Sequence, residues 1–299
     1  STLTEDERVQ MVQQIFDLSA IRRFRSRALA HADAGAVFLL AHVTAELAER
    51  LSFVDRTFEK AVITSGNGGF VDPGFLEGTR HAGTDFQSGI EDQSGWPQSS
   101  EEQLNPQFKG LDLALSLLSL HETNDTPGAL AQIRMALKPD GLFMGVMPGA
   151  GTLGELRECL TLAESEVSGG AAPRVYPFID VRTAGTLLQR AGFALPVIDE
   201  ETITVRYPDM FALMRELRSM GAANALEARS RRPIPRGVFL RAAELYQERF
   251  GAPDGRIPAT FTFVWLSGWA PSDVQQKPAR RGSATVSLAD ALKEISSKE

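Results

Sequence analysis

The feature that most constrains this chain is an apolar run, LDLALSLLSL, at Leu111–Leu120. It is followed at once by a helical pattern, a turn and a second apolar run. A run with no polar alternation suits a strand buried on both faces, as in a parallel sheet covered by helices. Thr126–Leu137 has helical spacing, with Asp125 or Thr126 as cap and Pro127 in the first turn. Lys138-Pro139-Asp140-Gly141 is a turn, and Leu142–Met147 is the next buried strand. A crossover helix between two parallel strands points to an α/β fold.

The flanks extend this pattern. Thr4–Ala30 reads as a helix with an arginine-rich second half. Phe38, Leu39, Val43, Leu47 and Leu51 mark another helix before a short strand, Ala61–Thr64. Residues 70–107 are rich in Gly, Ser, Gln and Pro and give no clear periodicity. Amphipathic helices follow at Thr152–Val167 and Val181–Ala191. Beyond them come a strand at Thr202–Arg206 and helices at Asp209–Met220 and Arg236–Phe250. The alternating aromatic strand Ala259–Trp269 is last, with Phe261, Phe263 and Trp265 on one core face. The alternation points to a mostly parallel sheet, with the alternative that the two late strands finish it as an edge pair. This divides the chain into N-terminal helices (1–54), a main domain (55–271) with a helical cap over roughly 150–250, and a tail (272–299) in which Leu288–Ile295 has helical spacing.

Composition excludes several function classes. The net charge of −7 over 299 residues argues against an extended nucleic-acid surface. The basic runs Arg22–Arg27 and Arg229–Arg236 read first as solvated helix faces, with a docking surface for an acidic partner as the alternative. A single cysteine, Cys159, cannot form an internal disulfide and reads as a small core residue. No apolar run reaches the ~20 residues of a membrane span. The polar N-terminus does not resemble a signal peptide, so a cytoplasmic location is expected. No HExxH, P-loop or GxSxG motif is present, and no metal site is expected.

The candidate site residues lie at strand ends. Ser65-Gly66-Asn67-Gly68-Gly69 after the first strand is a turn that lets backbone approach a nucleotide-type ligand, or a glycine turn formed for steric reasons alone. Asp85, placed at the end of the second strand, is spaced to accept from ribose hydroxyls, or is a turn aspartate. Glu101 and Glu102 precede the buried strand, where a carboxylate reaches an adenine amino group or is simply solvated. His121 follows the strand at its ligand end. It acts there as a general base or, as the preferred reading, holds a loop.

The segment LDLALSLLSLHETNDTPGALAQIRMALKPDGLFMGVM (111–147) resembles the fourth-to-fifth-strand region of class I S-adenosylmethionine-dependent methyltransferases. Glu122 stands where the family pattern His-Trp-x-Asn-Asp has an aromatic residue, and Asn124-Asp125 are kept. With GTLGELRECL (151–160), PFIDVRTAGTLLQRAGFALPVID (177–199), TVRYPDMFALMRELRSMGAANAL (204–226), DGRIPATFTFVWLSGWAP (254–271) and QIFDLSAIRRFRSRA (14–28), the likeness covers about 14–271. It is to the branch of the mitochondrial complex I assembly arginine hydroxylase and its bacterial relatives, related to the malonyl-carrier-protein methyltransferases of biotin synthesis. The resemblance implies a Rossmann-like sheet and S-adenosylmethionine at Ser65, Gly66, Gly68, Gly69, Asp85, Glu101 and Glu102. It also implies a protein or carrier-bound acceptor above the strand ends near Tyr207, Arg215 and Arg218, a role in complex I assembly, and methylation or, by family, hydroxylation. The family's Asp-x-Gly-x-Gly-x-Gly loop is eroded here. Ile63 replaces the acid, and Ser65 and Asn67 replace two glycines. The alternative is therefore a non-catalytic assembly protein on the same fold.

Overall fold

A computed structural model describes residues 14–30, 38–65, 73–88, 102, 104 and 107–275. In chain order these form α1 (Leu18–Ala30), α2 (Phe38–Ser52), β1 (Lys60–Ser65), β2 (Asp85–Ser88), β3 (Leu111–Leu117), α3 (Thr126–Ala136), β4 (Leu137–Pro148), α4 (Gly154–Ser168), α5 (Val181–Arg190), β5 (Ala194–Tyr207), α6 (Met210–Ser219), α7 (Arg236–Phe250) and β6 (Ile257–Trp269). Short 3-10 turns occupy Pro73–Leu76 and Leu120–Glu122.

The six strands form one sheet in the order β2-β1-β3-β4-β6-β5. β1 to β4 run parallel, while β6 enters antiparallel between β4 and β5. All seven residues of β3 are buried, as its unbroken apolar run requires. Successive side chains point to opposite faces, so Leu113, Leu115 and Leu117 join the larger core beneath α2, α4, α6 and α7. Ala114 joins the smaller core, where Leu130 and Ile133 of α3 and Leu188 of α5 pack on the other face. In β6, Phe261, Phe263 and Trp265 share the larger core. Cys159 is also buried there, and burial pushes its thiol up to about 11, out of the nucleophile range.

Local chemistry sets several boundaries. Asp125 caps α3 by accepting from Gly128 N at 2.9 Å, and Asp209 caps α6 by accepting from Ala212 N at 2.7 Å. β3 ends at Leu117, earlier than the apolar run suggests, because Leu118 turns the chain with a φ of 54°. The expected turn at 138–141 lies inside β4 as an irregularity, with Asp140 at φ 64°. β5 starts at Ala194, well before the expected strand. As an edge strand it keeps its alternate residues outside, so its first half carries charges and lacks an apolar signal.

The first helix is shorter than its arginine-rich pattern predicts. Residues 14–17 are extended, Phe16 bridges Leu226, and Asp17 begins α1 by accepting from Ala20 N at 2.9 Å. Residues 1–13 and the expected helix at 288–295 lie outside the described residues. No helix among the described residues is long and apolar enough to cross a membrane.

Candidate functional site

In a parallel sheet the ligand end is set by the carboxyl ends of the strands, where neighbouring connections leave on opposite faces. Here that end holds Ser65 of β1, the turn after Leu117 of β3, and Pro148 of β4. Ser65 is buried at the close of β1, pairing with Leu117 across the ladder. Gly66, Gly68 and Gly69 lie outside the described residues.

Two acids expected at the cofactor are placed elsewhere. Asp85 is the first residue of β2, not its last, and pairs with Lys60 at the start of β1. Five residue steps along β1, from Lys60 to Ser65, therefore separate it from the ligand end, about 16 Å at ~3.3 Å per residue. Asp85 is also exposed. The register of this four-residue strand is set by backbone pairing, which the spacing from Ser65 did not reveal. Glu102 is turned toward the loop after β3. Its Oε1 accepts from the backbone N–H of Asn124 and, at 3.0 Å, from that of Asp125. Glu101 lies outside the described residues. The described carboxylates thus do not fit the ribose and adenine positions that the resemblance implies.

The loop after β3 instead organises a cavity of about 150 Å³ at the ligand end. Its walls come from α2 (Leu39, Leu40), the β3 turn (Leu118, His121, Glu122), the start of α4, residues 174–178, the chain after α6 and β6 (Phe261, Phe263). Asn124 ties the N-terminal segment beside it. Its Oδ1 accepts from Ile15 N and Phe16 N at 2.7 and 2.8 Å, and its Nδ2 donates to Phe16 O at 3.1 Å. The retained Asn124-Asp125 pair is thus a staple and a helix cap.

Glu122, standing where the resemblance places an aromatic residue, forms a buried ion pair with Arg25 of α1. Tyr176 donates its hydroxyl to the other carboxylate oxygen at 3.2 Å. Burial, with Glu122 alongside, pushes the Tyr176 phenol well above its ordinary range. Gly221, at φ 77°, lets the end of α6 approach α1, since a Cβ there would stand 3.3 Å from Arg25 Cα. A second buried pair, Arg174 with Glu164, closes the far wall. Arg25 and Tyr176 were not singled out as site residues in the sequence, because their shared partner Glu122 lies 97 and 54 residues away.

His121 lines this cavity between the rings of Tyr176 and Phe178, at 6.1 and 6.0 Å between centroids. Its Nδ1 is sealed and has no hydrogen-bond partner among the described residues. Burial lowers its pKa to about 4; the Glu122 carboxylate works against this and Arg25 adds to it. The folded protein therefore holds His121 neutral where the unfolded chain, near 6.5, takes up a proton. Stability from this residue is complete above about pH 6.5 and is lost as pH falls toward about 4. The expected result is a flatter pH dependence of urea midpoint between 4 and 6.5 in His121→Phe than in the parent. An unchanged slope would remove His121 from that account.

The residues expected on the substrate side do not line the cavity. Tyr207 is buried at the end of β5, with its hydroxyl beside Glu216. Arg215 and Arg218 are exposed, because the inward face of α6 is spaced as Met210, Leu213 and Leu217. Leu217 and the following Met220–Asn224 take the lining role instead.

No protein-family model matches the chain. It is 47% identical over 195 residues to arginine-hydroxylase NDUFAF5, mitochondrial, of Danio rerio, covering 65% of this chain and 60% of that protein. It is 37% identical over 171 residues to a malonyl-(acyl-carrier protein) O-methyltransferase of Laribacter hongkongensis, covering 57% of this chain and 55% of that one. The chain is a homologue of both. Among solved structures, phosphoethanolamine N-methyltransferase 2 of Haemonchus contortus in complex with S-adenosyl-L-methionine gives a TM-score of 0.41 at 12% identity, over 76% of this chain and 52% of that one. The chain spans about 60% or less of the length of these curated relatives.

Proposed function

We propose that this methyltransferase-fold protein binds S-adenosylmethionine at the end of β1 and acts on a protein or carrier-bound acceptor. The assembly of respiratory complex I, implied by the branch resemblance, is the proposed setting. The observation that supports this reading is the juxtaposition of the β1–β3 switch point with the cavity behind His121. Both groups of curated relatives are named for group transfer or hydroxylation on a side chain or carrier. With Asp85 at the opposite end of β2, backbone at the β1 turn would hold the cofactor, and the cavity would hold the acceptor. Methyl transfer depends mainly on positioning, so a neutral His121 and a largely apolar wall suit the acceptor side.

Asp85 lies at the opposite end of β2, and Glu102 is taken up by backbone N–H groups of the loop after β3; both observations suit a second reading, an assembly protein that kept the fold without the cofactor. Calorimetric titration with S-adenosylmethionine and S-adenosylhomocysteine separates the two. Binding is expected, with stabilisation of about 2.7 kcal/mol at ligand 100-fold above Kd. Asp85→Ala is expected to leave the affinity unchanged. No heat and no thermal shift would sink the enzymatic reading and leave the assembly role.

A further inference from the structure

The two arginine runs of the sequence, far apart along the chain, meet in the fold. Asp17 N donates to Ala225 O and Glu227 N to Ile15 O, both at 2.8 Å, and Phe16 bridges Leu226 between them. Asp17 Oδ2 accepts from Arg229 at 2.6 Å and from Arg231 at 3.3 Å. Gly221, just after α6, stands against Arg25 and Ala28 of α1. Residues 17–30 and 210–236 are therefore packed together, and they carry ten arginines against three carboxylates.

Those carboxylates are already engaged. Asp17 and Glu227 hold Arg229 and Arg231, and Glu216 lies beside Tyr207. Arg22, Arg23, Arg215, Arg218, Arg232 and Arg236 are exposed and make no ion pair among the described residues. A chain of net charge −7 thus gathers unpaired positive charge on these segments. Residues 220–224, which run between them, also line the cavity, and Ala222 is exposed at its rim. The arginines flank the cavity.

The chemistry of this surface selects its partner. The planar arginine fork matches a carboxylate, and several arginines together draw in an acidic surface within a Debye length. α1 has no apolar stripe left to bury in lipid, because Ala20, Ile21 and Phe24 pack with Phe16, Tyr176 and Leu226. A nucleic acid would run past the arginines onto the acidic remainder of the chain. We propose that the arginine surface docks an acidic segment of a protein that presents its acceptor group to the cavity. The inference rests on the cavity being the acceptor side, and concerns how that protein is held rather than which of its groups is modified.

Fluorescence anisotropy on the full chain, with no S-adenosylmethionine present, tests this apart from the cofactor titration. The probe is a dye-labelled helical peptide of glutamate and alanine. It is expected to bind at about 50 mM salt and to weaken about tenfold by about 200 mM, while a glutamine–alanine peptide does not bind. Arg22→Glu with Arg23→Glu, and separately Arg232→Glu with Arg236→Glu, are expected to weaken binding about tenfold each. Arg182→Glu with Arg190→Glu makes an equal charge change on α5, which covers the other face of the sheet from α6. Its effect is expected to stay below about twofold. A dye on Ala222→Cys is expected to shift its emission when the peptide binds, since the native Cys159 is buried out of the label's reach. No peptide binding, an equal loss in the α5 variant or an unmoved rim dye would overturn the proposal. So would tighter binding of a single-stranded RNA or of phosphatidylserine vesicles. The salt dependence and probe ranking of the parent protein decide even where a variant fails to fold. Cofactor heat without peptide binding overturns this inference alone. Peptide binding without cofactor heat leaves the docking surface and overturns the transfer reading.

Discussion

Arg25→Ala is expected to lower the unfolding free energy by about 3–5 kcal/mol, the usual cost of leaving one member of a buried ion pair without its partner. Both side chains are only 9% exposed. Removing the guanidinium leaves Glu122 with the Tyr176 hydroxyl alone to offset its desolvation. Chemical denaturation read by fluorescence measures the loss directly. The double variant Arg25→Met with Glu122→Leu is expected to recover most of it, because an apolar pair of similar size carries no desolvation cost. If the single variant falls within 1 kcal/mol of the parent, α1 is not held by this pair. The same contact fixes α1 over the cavity wall, so its energetics bear on the site as well as the fold.

Phe263→Ala is expected to cost about 3–5 kcal/mol, the range for deleting a fully buried aromatic side chain. Phe263 is 1% exposed on β6, pairs across the ladder with Pro148 at the ligand end, and packs its ring 5.7 Å from that of His42. Truncation removes these contacts and enlarges a cavity that Phe263 already lines. The loss is measured by urea unfolding, and adding toluene during thermal unfolding should restore part of it by filling the new space. A small loss, with no rescue, would mean that the wall collapses inward.

Much of the fold was legible in the chain. The β3–α3–β4 unit follows from an unbroken apolar run, a capping aspartate, and a second apolar run. Each of these signals is local, and each agrees with the parallel, doubly covered sheet. The aromatic alternation of β6 likewise placed Phe261, Phe263 and Trp265 on the core face. That the two late strands finish the sheet was open in the chain only as an alternative; their antiparallel direction came from the structure, and the start of β5 was hidden by its outward charges.

The site was less legible, for a different reason. Ser65 was placed at the ligand end by the strand it closes. Asp85 and Glu102 were read by spacing along the chain, which does not fix direction or register in a four-residue strand or the target of a loop carboxylate. Glu122 stood out in sequence only as an acid in an aromatic position. Its partners Arg25 and Tyr176 lie 97 and 54 residues away, so no local pattern connects them.

What the sequence by itself determined is the order of strands and helices, the buried faces and the family likeness, because hydrophobic periodicity and capping act over a few residues. The tertiary structure alone decided which end of β2 carries Asp85, that Glu102 serves the Asn124 loop, and that Arg25 neutralises Glu122 beside His121. Those outcomes depend on ladder register and on desolvated charges finding partners across the fold, and both are set only when distant segments meet.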